Sequence, residues 1–374
     1  MALDSSKLCP CGLYGNSYGD CCEHKGPEAL GNAMQRTGVP TRLEGTRVDT
    51  LSSFVGGDTR FRIVWNVLWN VPQEQSFHQF LDALIGATLG KDWFQEQNKL
   101  PVAADRHVLV RWRSSLLSLV ERPPDKPDGA YIRTGVVEAY MHFGYDLYWL
   151  QIAHKLPERL VIRLKTREYF QGARYEVLVA AVFARAGFDI EWLDDEDDAE
   201  EEKHCEFIAT HKKTGTKLGV ETKSRQRSGA LHFRVDVSLE KNLKGDIFGL
   251  YETAIKQLPE DIPSLVFIDA NWKMSVSAGT PAYSNFPIET YPWIQEVRDE
   301  LQLRWSNLNG TTAETGVFVT SFAYYYEDSE GVPAPIGVSG CFMSPKPTAP
   351  LNNMVVFGDL DYCLRHNDFI PRQL

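Results

Sequence analysis

The stretch KLGVETKSR, residues 217–225, sets a carboxylate and an ammonium two positions apart in a short apolar run. On a β-strand, side chains at i and i+2 share a face, so Glu221 and Lys223 project together while Val220 and Thr222 point the other way. Two more acids give the pair chemical meaning. Glu206 precedes Glu221 across a turn, and Glu176 lies in a helical segment before both. Carboxylates gathered at one place repel unless a cation offsets their charge. A hard divalent ion such as Mg²⁺ takes oxygen ligands and keeps waters beside a phosphate. Such an ion lowers the pKa of bound water and favours in-line displacement at phosphorus. A lysine on the same face can orient that water or stabilise charge developing on the phosphate. The bland alternative is that Glu221 and Lys223 form a solvated surface pair worth little.

A second cluster stands at the start. CPCGLYGNSYGDCCEH, residues 9–24, holds four of the seven cysteines. A Cys-x-Cys pair, a glycine-rich turn and a second cysteine pair can converge on one tetrahedral ion, and thiolates suit Zn²⁺ in a closed structural site. So short a segment has no core of its own, and metal binding would supply its folding energy. Cys9, Cys11, Cys21 and Cys22 are the expected ligands, with His24 as an alternative to Cys22. Disulfides or free thiols are the other reading. Cys205, Cys341 and Cys363 sit among apolar residues as ordinary buried thiols.

The elements that must position these groups follow from spacing and punctuation. Residues 61–71 (FRIVWNVLWNV) and 76–88 (SFHQFLDALIGAT) show helical spacing, with Trp65 and Trp69 at i and i+4 as core residues. RPPDKPDG, residues 122–129, is a proline-broken connector before one long helix that ends ahead of Pro157. The segment 168–187 reads as an amphipathic helix stopped by Gly187. Then come a strand (FDIEWL), an acidic loop, a hairpin of CEFIATH and KLGVETKS around KKTGT, a helix over 238–259, and a buried strand PSLVFIDAN. Further on, 287–305 is a helix, and 315–326 and 353–360 are strands.

The order α-β-β-β-α-β, with Glu176, Cys205-Glu206 and the E-x-K element Glu221-Thr222-Lys223, resembles the PD-(D/E)XK nuclease superfamily over residues 166–271. The resemblance implies a restriction-endonuclease-like mixed α/β sheet. It also implies Mg²⁺ (or Mn²⁺) on Glu206 and Glu221, Lys223 as catalytic lysine and Glu176 as auxiliary acid. The second motif departs from the more usual Pro-Asp. Cys9, Pro10, Cys11, Gly12, Tyr18, Cys21 and Cys22 are similar to the SEC-C zinc motif, with a longer loop between the pairs and without the usual lysines. Three regions are expected: a zinc module over 1–26, a mostly helical region over 27–165, and an α/β domain with a C-terminal strand extension over 166–374.

Charge fits a nucleic-acid partner only locally. The formal net charge is −11, but residues 194–202 alone carry eight acids, and residues 203–244 hold ten Lys/Arg against four Asp/Glu. Lys212, Lys213, Arg225 and Arg227 are the candidate phosphate contacts, unless the charges simply alternate along a solvated surface. The acidic run is either a solvated loop or a shield over the basic stretch. No stretch reaches the roughly 18 apolar residues of a membrane helix, and the expected compartment is the cytoplasm. The leading expectation is a Mg²⁺-dependent nuclease acting on DNA, with a protein partner for the zinc module. Bacterial defence or mobile-element biology would suit both resemblances. The alternative is an inactive nuclease-fold adaptor. A zinc hydrolase lacks support, because the chain has no HExxH.

Overall fold

The computed structural model of the chain describes residues 45–48, 53–56, 59–64, 67–121, 134–153, 156–193, 204–225, 243–271, 292–322, 338–367 and 370–371. Residues 61–71 correct their expected helix. They contribute to a three-stranded antiparallel sheet of β1 (Ser53–Gly56), β2 (Thr59–Val64) and β3 (Val67–Pro72), in which Arg62 faces Trp69 and Val64 faces Val67. Arg60, Arg62 and Val64 are all buried. That burial has the two-residue period of a strand, and it outweighs the i, i+4 tryptophan spacing.

Five helices follow: α1 (Phe77–Leu89), α2 (Lys91–Lys99), α3 (Val108–Val120), α4 (Gly135–Ala153) and α5 (Glu158–Lys165). A reciprocal capping box fixes the start of α1, where Gln79 N–H donates to the Ser76 hydroxyl and Ser76 N–H to the Gln79 side chain. Next comes α6 (Phe170–Ala186), ended by Gly187 at φ 94°, a left-handed conformation glycine adopts without a Cβ penalty. The expectation of an amphipathic α6 is corrected: Phe170, Gln171 and every residue from Ala173 to Ala186 are buried. It is enclosed because α4, α9 (Met354–Arg365) and the large sheet all pack on it.

That sheet has the order β4-β5-β6-β7-β8-β9, from Phe188–Trp192, Phe207–His211, Lys217–Ser224, Ser264–Asp269, Gly316–Ser321 and Val338–Met343. Only β6-β7 and β7-β8 are parallel. Parallel neighbours need crossovers, and α7 (Leu243–Ala254) and α8 (Pro292–Asn307) supply them. Their apolar residues cover Val266, Ile268, Val317 and Val319 on one face, while Leu265, Phe267 and Phe318 on the other face join the core around α6. The protein is thus mixed α/β, and the order α6-β4-β5-β6-α7-β7 is the one expected from the sequence.

Residues 353–360 correct an expected strand. They open α9, where the Asn353 side chain caps Val355 N–H at 3.1 Å and Val356, Leu360, Cys363 and Leu364 face the core at helical spacing. The strand β9 was not expected from the sequence. Among the described residues, no helix is long and apolar enough to cross a membrane.

Candidate active site

The β5-β6 hairpin turns at Gly215, φ 69°, and its register places the two acids. The last rung of its ladder pairs Phe207 with Val220. Glu206 and Glu221 therefore stand one step beyond it, at the same end. From there β6 continues beside β7 alone among the described strands, with Glu221 opposite Val266 and Lys223 opposite Ile268. Gly219 allows this close approach: a Cβ there would lie 2.7 Å from Ser264 Oγ and 2.9 Å from Pro259 Cγ. The expected alternation holds. Val220 is in the large core, and the side chains of Glu221 and Lys223 meet as an ion pair.

Glu221 is 0% exposed, and neither of its carboxylate oxygens has a hydrogen bond, although Lys223 Nζ touches Oε1 and the Glu206 amide lies near. Burial pushes its carboxyl up to about 7; Lys223 opposes the rise and Glu176 adds to it. The Glu206 carboxyl is pushed up to about 8, first by burial, then by the charges of Glu176 and Glu221, with Lys223 and Arg163 opposing. Glu206 thus lies within the field of both other acids, and Glu221 within that of Glu176. Glu176, buried on α6, receives both prongs of the Arg163 guanidinium from α5, at 2.7 and 2.6 Å.

Three acids and one lysine expected from the sequence are thus brought into one neighbourhood, closed by an arginine the sequence reading missed. Family models, curated proteins and solved structures offer no match to the chain. The case for chemistry rests on the geometry.

With Glu176 forked to Arg163 and Glu221 paired to Lys223, no trio of Asp, Glu, His or Cys among the described residues is disposed to hold a metal ion. The donor set nonetheless fits one. Two carboxylates pushed up first by burial and then by neighbouring carboxylates, one with both oxygens buried, are hard oxygen ligands that a cation would suit. Glu206 and Glu221 are the residues to hold it. Cys205, next to Glu206, is a different kind of group: burial pushes its thiol up to about 11, which keeps it protonated and inert.

Other candidates are dispersed. Lys212 and Lys213 lie exposed in the hairpin turn, at the opposite end of β6 from Lys223, and Lys212 pairs with Asp189 at 3.2 Å. Arg225 is buried just past β6. Its N–H donates to the Asp269 carbonyl, and its own carbonyl accepts from Gln171 and Asn271. Arg227, the acidic run 194–202, Trp65, Cys9, Cys11, Cys21, Cys22 and His24 lie outside the described residues. At the ends of β6, β7 and β8 sits a polar network the sequence did not announce. Ser224 donates to Asp269 at 3.1 Å, Arg174 pairs with Asp269 at 3.3 Å, and Tyr175 bonds Thr320 at 2.7 Å. It anchors α6 to the strand that carries Lys223.

Proposed function

We propose that the protein is a divalent-metal-dependent nuclease of restriction-endonuclease-like topology, hydrolysing phosphodiester bonds in DNA. The observation that carries this reading is the convergence of Glu176, Glu206 and Glu221 with Lys223 at one end of the β5-β6 hairpin, Glu206 and Glu221 pushed up by burial and then by neighbouring carboxylates. A structural ion pair would not need a second and third carboxylate beside it. The element order and the antiparallel, antiparallel, parallel pairing of β4 through β7 agree with the same topology.

A bound Mg²⁺ or Mn²⁺ would supply a water of lowered pKa and polarise the phosphate. The chain's own groups do the rest. Glu206 and Glu221 bring the negative charge that would hold a cation, and Lys223, whose side chain is 19% exposed, sets its amine against Glu221. From there it can orient a water or meet charge on a phosphate oxygen. Glu176 adds to the field from α6. The zinc module expected over residues 1–26 is part of this proposal as a docking element for substrate or partner.

The test is cleavage of plasmid DNA with Mg²⁺ or Mn²⁺ by wild type, Lys223→Met and Glu221→Gln. Loss of about a hundredfold or more in rate is expected for each. Equal cleavage by all three proteins removes the assignment. Retained DNA binding with no cleavage by wild type under either metal favours the inactive adaptor.

A further inference from the structure

Arg163 differs from the other members of the acidic cluster. Its partner Glu176 has a side chain only 5% exposed, while the arginine's own side chain is 35% exposed. It donates two short hydrogen bonds to Glu176 and also lowers the pKa of Glu206, so it lies within electrostatic reach of a second acid. Its guanidinium passes 3.8 Å from where a Cβ would sit at Gly172, so the first turn of α6 presents no side chain there. A cation at Glu206 and Glu221 would share the field of Glu176 with this guanidinium. Two positive groups of which one is half in water do not compete equally: the solvated arginine is the one that can leave. Planar guanidinium also matches a phosphate as well as it matches a carboxylate. Ile162, next to Arg163 in the chain, and Tyr169, just before α6, are both exposed, and an exposed aromatic ring can stack on a nucleobase.

We propose that Arg163 is an exchangeable counter-ion, neutralising Glu176 in the free protein and passing to a backbone phosphate of DNA when a divalent cation enters between the acids. This assignment rests on the nuclease reading of the site and adds to it a substrate-binding residue and a resting state. In that resting state the chain carries its own cation, which restrains the carboxylates from repelling one another before metal arrives.

The experiment uses the full-length protein with four sequences: wild type, Arg163→Met, Arg163→Lys and Glu221→Gln. Mn²⁺ binding is measured alone by calorimetry. Binding of a short DNA duplex is measured in Ca²⁺ at several salt concentrations. Arg163→Met is expected to bind Mn²⁺ on the order of tenfold more tightly, because a competing charge is gone. It should bind DNA about tenfold more weakly, with the salt slope reduced by roughly 0.9 for one lost phosphate contact. Arg163→Lys keeps the charge without the fork, so it should keep the salt slope and gain part of the Mn²⁺ affinity. Should Arg163→Met not fold, as judged by circular dichroism, Arg163→Gln, which also removes the charge, replaces it in both measurements. Mn²⁺ affinity that is unchanged or weaker in the arginine variants, or a DNA salt slope that does not move in Arg163→Met, makes the fork merely structural and overturns the proposal. Glu221→Gln reports separately: Mn²⁺ binding that survives it defeats the site itself, whatever the arginine variants do.

Discussion

Glu221→Gln should make the protein more stable, and by an amount the structure sets. The Glu221 carboxyl is raised from its ordinary 4.5 to about 7, with burial as the first cause. Between those values the folded chain holds a proton that the unfolded chain has released. Stability therefore falls as pH rises through this window and levels off above about 7. At 1.36 kcal/mol per pKa unit, the shift corresponds to roughly 3 kcal/mol lost at pH 8. Glutamine keeps the shape and cannot ionise. Relief of Glu206, whose pKa Glu221 helps to raise, adds in the same direction. Urea unfolding in the presence of a chelator should show near-equal midpoints at pH about 5. At pH about 8 the variant's midpoint should be higher by several tenths molar or more, with an unchanged slope. Added Mg²⁺ or Mn²⁺ should then stabilise wild type by about 2.7 kcal/mol at a hundred times its dissociation constant and leave the variant where it was. A variant no more stable than wild type at alkaline pH would mean that Glu221 is comfortably ionised, and the reasoning about a cation-deficient cluster would be wrong.

Gly219→Ala should cost about 1–3 kcal/mol by overpacking, because the new methyl meets Ser264 Oγ and the Pro259 ring; thermal unfolding measures it, and a neutral result would mean that β6 can shift away from β7. Asp146, fully buried on α4 and pushed up to about 7 by burial, loses stability as pH rises from about 4 to 7, so Asp146→Asn should flatten the unfolding profile over that range. A profile with the same slope in both proteins refutes that placement of the charge. Metal analysis of purified protein should find one zinc per chain, lost on Cys9→Ser with Cys11→Ser; zinc retained by that double variant would exclude the thiolate site.

Much of the candidate site's geometry was legible because it is local in sequence. The hairpin needed only Gly215, the flanking apolar runs and the two-residue period, and those fix which residues pair Glu206 with Glu221. Glu176 was reachable because Gly187 marks the end of its helix. Arg163 was not, since an arginine on a short amphipathic helix has no pattern that names a partner thirteen residues on. The errors have a common origin. FRIVWNVLWNV and NMVVFGDL are short runs rich in apolar residues that satisfy both periods, and the choice between strand and helix falls to neighbours distant in sequence. Strand β1 and the α1-α4 core decided the first, and α6 decided the second. The same enclosure hid the true character of α6, because amphipathicity presumes one wet side.

That enclosure has a consequence for how the protein can change. Glu176 rides on the helix whose other residues hold the interior together, so one acid of the candidate site and the keystone are one object. Drift in the interior would be felt at once in the spacing of the acids, while the loops and the Arg163 helix remain open to variation. Lineages of this chain should accordingly diversify in what they grasp long before they diversify in what they do to it.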